Sequence, residues 1–211
     1  MLGIARTLAA LGCLWVIGAS VTQLAGAWGG GRKDHSQPQG APRRGVLYNL
    51  TAAMLPTHKE TVRHHLIEFA AGMMLHAGVL MVLLGAVLAV IDPDVGTAVL
   101  HISRPIAGLS LLIGVILLAR RIFSWTLRSM SSIDDYLAIL AVIGLLLLAT
   151  GFGGGDGNLT GLLLYTALLL AYLPLGKLRH AVFFFAVRID LGRRLGHRGT
   201  YPPPTESPHG R

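Results

Sequence analysis

Residues 66–91 read LIEFAAGMMLHAGVLMVLLGAVLAVI, an apolar run with one carboxylate, Glu68, near its start and one histidine, His76, inside it. An α-helix needs roughly 17–25 apolar residues to cross the hydrocarbon core of a bilayer, and this run has that length. Its apolar residues are continuous rather than alternating, so it reads as a helix and not as a barrel strand. A helix also pairs its own amides and carbonyls, which lipid cannot do for it.

Similar windows lie on both sides. One precedes it, Thr7 to Trp28. Three follow, at Val99 to Ala119, Tyr136 to Phe152 and Leu159 to Val187, the last interrupted by Lys177, Arg179 and His180. Composition agrees: 53% of the 211 residues are apolar and 13% are charged, where a soluble domain carries about 25% charged residues. The predicted fold is all-α, an integral membrane protein built as a five-transmembrane-helix bundle. Its membrane domain covers residues 1–190, with a loop at 29–61 and a tail at 191–211.

The single cysteine, Cys13, lies in the first span. One thiol makes no disulfide within the chain and no chain-borne iron–sulfur cluster. Ala25-Gly26-Ala27 has the small-x-small form of a signal cleavage site. The apolar stretch before it is longer than a signal core, so the first span reads as a retained helix.

The basic residues set the orientation. All of the 18 Lys and Arg residues except Arg6 and Arg104 fall between spans one and two, between spans three and four, or from the end of span five onward. Cytoplasmic loops carry such an excess, which puts the N-terminus outside and the C-terminus in the cytoplasm. The net charge of +8 then reflects topology and attraction to anionic lipid, with no call on nucleic acid. The inner segments are broken by Pro38, Pro42, Pro56 and Pro202 to Pro204. They read as too polar to form a domain of their own, and as a place where a cytoplasmic partner docks.

Ionisable groups at membrane depth are costly and mark functional positions. His76 lies about ten residues past the inner start of span two, roughly 15 Å along the helix. His180 lies about seven residues before the inner end of span five, roughly 10 Å deep if that helix runs on to Val187. Two imidazoles at similar depth suit the axial positions of one haem iron. Lys177 and Arg179, within a turn of His180, are natural partners for haem propionates. Gly72 and Gly78, either side of His76, admit a flat ring or another helix. At the inner mouth of span two, His65 and Glu68 form a candidate proton or quinone site. Near the outer start of span three, His101 and Arg104 form a second one, since a quinone carbonyl needs a donor and a proton-exchanging group. No phosphate-cradling glycine loop and no nucleophile elbow is present, so a self-contained soluble-type active site is not supported.

Three stretches resemble the gamma subunit of respiratory nitrate reductase and related membrane cytochromes b, including those of sulfite-reduction-associated complexes and of heterodisulfide reductase. They are Leu75-His76-Ala77-Gly78-Val79-Leu80, the run from Gly108 to Ser124 continuing to Asp134-Asp135, and Pro174-Leu175-Gly176-Lys177-Leu178-Arg179-His180. The resemblance implies haem b held by histidines on spans two and five, a membrane quinone as redox partner, and a cytoplasmic iron–sulfur or catalytic subunit on the inner face. His76 and His180 match the family's inner pair. The outer pair falls on Ala86 and Leu162, which cannot bind iron, so the resemblance implies one haem. A proton-coupled transporter or a non-haem structural anchor is the alternative reading.

Overall fold

Leu66–Ile91 is one uninterrupted helix in a computed structural model that describes residues 1–30, 41–56, 62, 65–151 and 156–195. Before it come α1 (Leu2–Gly29), α2 (Pro42–Leu50) and a 3₁₀ turn at Ala52–Met54. The run itself is α3. After it come α4 (Pro93–Phe123), α5 (Trp125–Ser129), α6 (Ile133–Thr150), α7 (Asp156–Tyr172), a 3₁₀ turn at Lys177–Arg179, and α8 (His180–Leu195). No strand occurs among the described residues. Four helices, α1, α3, α4 and α6, are long and apolar enough to cross a membrane, and a fifth crossing is added if α7 and the helical segment after it count as one. The protein is an all-helical, multi-pass membrane protein.

The third span is longer than its apolar window because its start is capped. The Asp92 carboxylate accepts the amides of Asp94 at 2.9 Å and Val95 at 3.3 Å. Pro93 takes the first helical position, where a missing N–H goes unused. Pro105 then lies well inside α4 rather than near a span end, so it removes one rung from the helical hydrogen-bond ladder.

The fifth window does not form one helix to Val187. α7 stops at Tyr172, and α8 begins only at His180. Pro174 has no amide to continue the ladder. The amides of Leu175 and Gly176 both turn back to the Tyr172 carbonyl, at 2.9 and 3.0 Å. A side chain at Gly176 would run into the Tyr172 ring. His180 therefore opens a new helix, and its depth cannot be counted along a continuous span.

The chain divides into two compact units, Met1–Val21 with Ile67–Arg179, and Thr22–Leu66 with His180–Arg211. The first unit packs through small residues, as helices in lipid do. Gly78 admits Ser110, Gly85 admits Leu100, and Gly96 admits Ala89, which joins α3 to α4. The Ser110 hydroxyl donates to the Met74 carbonyl at 2.8 Å. Gly144 lies under Tyr165, whose hydroxyl donates to Ala141 at 3.1 Å and ties α7 to α6. Gly12 faces Leu170, and the Trp15 indole donates to Ala171 at 3.1 Å. The core between these contacts is aliphatic, with Val82, Leu100, Leu145, Leu146, Leu162 and Leu163 fully buried.

The second unit is built on α2 and α8. α2 lies against α8, with the Gly45–Val46 backbone where a side chain on Gly192 would be. Asn49 is buried at the same face, its amide donating to the Gly45 carbonyl at 2.9 Å. Two glycines bring these backbones close enough that few large apolar residues are needed.

Candidate functional site

His76 sits in α3, and its Nδ1 lies 2.6 Å from the Gly72 carbonyl one turn back. A carbonyl only accepts, so in the neutral ring Nδ1 carries the proton and Nε2 keeps its lone pair. That is the tautomer a metal-binding imidazole requires, with the second nitrogen oriented by a backbone acceptor. The flanking glycines divide. Gly78 is a helix-packing residue against Ser110, while Gly72 has open space where a side chain would be.

His180 is exposed at the first position of α8 and belongs to the second unit. Arg179 ends the 3₁₀ turn before it, also exposed. Lys177 is already engaged, its ammonium 2.6 Å from the Asp135 carboxylate. Asp135 also receives the Ser132 amide at 2.8 Å and hydroxyl at 2.9 Å, and lies 3.4 Å from Arg121. Its neighbour Asp134 accepts the Tyr172 hydroxyl and, at 2.8 Å, the Lys177 amide. This polar latch joins the start of α6 to the break after α7. Sequence reasoning missed it, although Ser132-x-x-Asp135 has the form of a helix-start capping pair.

The latch carries a prediction. Asp134→Ala removes a charged acceptor from two donors at once, and hydrogen bonds to charged groups contribute about 1.5–3 kcal/mol each. The expected loss is about 2 kcal/mol of stability, because Asp134 is only half-buried. Tyr172→Phe is expected to lose about half of that. Thermal unfolding of the detergent-solubilised protein checks both. Equal effects from the two substitutions would show that the Lys177 amide does not depend on Asp134.

The remaining candidate residues separate. The Arg104 guanidinium donates to the Thr150 carbonyl at 3.3 Å and so caps the end of α6. Arg6 does the same for α3, reaching the Val90 carbonyl at 2.8 Å and that of Ile91 at 3.1 Å. Cations suit the negative end of a helix. His101 is exposed in α4, inside the helix rather than at its start. Glu68 lies 3.6 Å from Arg120, while Arg63 and His64, the partners its position suggests, lie outside the described residues. His65 precedes α3, its amide donating to Val62 at 3.0 Å.

Among the described residues no three His, Cys, Asp or Glu side chains gather as a metal site. A two-imidazole iron site needs no such group. An apolar groove of about 180 Å³ lies between α6 and α7, lined by Leu137, Ala141, Tyr165, Leu168, Leu169 and Tyr172. It is smaller than the roughly 300–1,000 Å³ of sites that enclose a drug-sized ligand. No family model, curated protein or solved structure matches the chain.

Proposed function

We propose that this chain is the membrane-anchoring haem b subunit of a respiratory complex in the cytoplasmic (inner) membrane. It passes electrons between the quinone pool and an iron–sulfur or catalytic subunit on the cytoplasmic side. The observation that carries the reading is His76, an imidazole on a membrane-spanning helix whose Nδ1 is bonded to the Gly72 carbonyl. That bond leaves Nε2 as a metal donor. Haem, when bound, would supply one-electron transfer.

In this reading His76 and His180 would hold one haem b. Gly72 fixes the tautomer of His76 and leaves room beside it. Arg179 is the cation for a propionate, because Lys177 is held by Asp135. His65 with Glu68, and His101 with Arg104, are the groups placed to exchange a proton with a quinone. Of these, Glu68 and Arg104 must keep or exchange their contacts with Arg120 and Thr150. The terminal chemistry belongs to the partner chain. The uneven basic charge supports an outer N-terminus and a cytoplasmic C-terminus.

A second reading is favoured by the latch and the helix breaks. Asp134, Asp135, Tyr172 and Lys177 tie the start of α6 to the break after α7, as a structural anchor requires. Pro105 inside α4 and the break at Pro174 are the kind of interruption that transporters carry. Reduced-minus-oxidised spectra of the protein purified from its native membrane decide. A b-type band at about one haem per chain is the expected result. Folded native protein with no haem overturns it in favour of the anchor or the transporter.

A further inference from the structure

We propose that α2 and α8 together form a basic interfacial pad that binds the anionic phospholipid headgroups of the membrane the chain spans. The pad does not rest on the haem reading and stands or falls separately from it.

α8 has 16 residues, about 24 Å of helix, short of the ~30 Å hydrocarbon core. Its first half, His180 to Val187, is apolar after the histidine and includes Phe183, Phe184 and Phe185. Its second half carries Arg188, Arg193 and Arg194. A helix too short to cross, whose apolar half can enter the acyl region while its arginines stay among the headgroups, belongs at the membrane interface. α2 adds Arg43 and Arg44, both exposed, and is held to α8 at Gly192.

Within the two helices the charges are not cancelled. The only carboxylate on either helix is Asp190, and it pairs with Arg194 at 3.0 Å. Arg43, Arg44, Arg188 and Arg193 thus face no carboxylate of their own helices. The Arg188 guanidinium lies 5.4 Å from the Phe184 ring, and Phe184 meets Phe185 edge-on. An aromatic shelf with a cation at its edge lets the stem lie on apolar surface while the head reaches a phosphate. Phe185 is 58% exposed and Leu47 is 65% exposed, which water disfavours and acyl chains accept. An acidic protein would satisfy the arginines but leave these side chains without a reason to be outside.

The test uses the full chain in mixed micelles with equal phosphatidylglycerol and phosphatidylcholine, counting retained lipids by native mass spectrometry. The wild type should retain phosphatidylglycerol preferentially and lose the preference at high salt. Each cation near an anionic surface contributes about a fivefold gain, so Arg43→Gln with Arg188→Gln should cut the preference by an order of magnitude or more. Arg43 is exposed and Arg188 is half-buried, so the helix content of the variant is compared with that of the wild type by circular dichroism. As a second readout, Phe185→Trp should add fluorescence that brominated acyl chains quench. Unchanged lipid selectivity in the double variant overturns the proposal. So does an added tryptophan that brominated lipid leaves unquenched, or a pad that takes a soluble acidic protein while showing no lipid preference.

Discussion

Gly96→Ala is expected to lower the thermal unfolding midpoint of the detergent-solubilised protein by roughly 6–12 °C, corresponding to about 3 kcal/mol. Gly96 lies in the first turn of α4, against the end of α3. An added methyl group would meet the main-chain nitrogen and Cα of Ala89 as well as its side chain. Main chain cannot rotate away as a long side chain can. Nor is the turn free to open. α3 and α4 are joined through Asp92 alone, whose amide donates to Leu88 at 2.8 Å and whose carbonyl accepts from Gly96 at 3.0 Å. The Arg6 guanidinium holds the α3 end from the other side. Overpacking a close contact costs about 1–3 kcal/mol, and the fixed backbone places this one at the upper end. Gly18→Ala is the control. Gly18 lies within α1 with open space beside it, so alanine there should be neutral or stabilising by up to about 1 kcal/mol. Equal midpoints for the two variants would show that the α3–α4 contact is not a tight one.

Hydropathy read some elements closely and others poorly, for reasons visible in particular residues. α3 begins and ends where its apolar run does, because polar sequence precedes Leu66 and the Asp92-Pro93 pair stops and restarts the helix at the far end. The fifth window failed because a hydropathy average sees Pro174 and Gly176 as two more uncharged residues. What ends α7 is a missing amide and the Tyr172 ring lying where a Gly176 side chain would go. The α2–α8 pair was illegible for another cause. It joins segments far apart in the chain through Gly45 and Gly192, and single glycines in polar sequence read as loop. At the candidate site, the lone imidazole of His76 was conspicuous, while its bond to the Gly72 carbonyl depends on the side-chain rotamer and shows only in the structure. The commitments of Lys177 to Asp135 and of Arg104 to Thr150 were hidden, since each partner lies on another helix.

His76→Ala is expected to abolish the reduced b-type band while leaving the protein folded. Removal of the ring costs little stability. His76 is exposed and its Nδ1 partner is its own helix, so no core cavity opens, and a surface change of this kind stays within about 0.5 kcal/mol. On the proposed function the effect on haem is of another size, because a two-imidazole site that lost one donor would lose half of its protein bonds to the iron. His180→Ala should behave alike, although that residue lies in the other unit. Imidazole added to the medium separates ligation from a packing role. It is small enough to occupy the space left by the His76→Ala truncation, beside the open position at Gly72, and should restore a low-spin spectrum in part. A histidine that served only to pack α3 would give no such rescue. An unaltered band in both alanine variants would overturn the proposed ligation by His76 and His180.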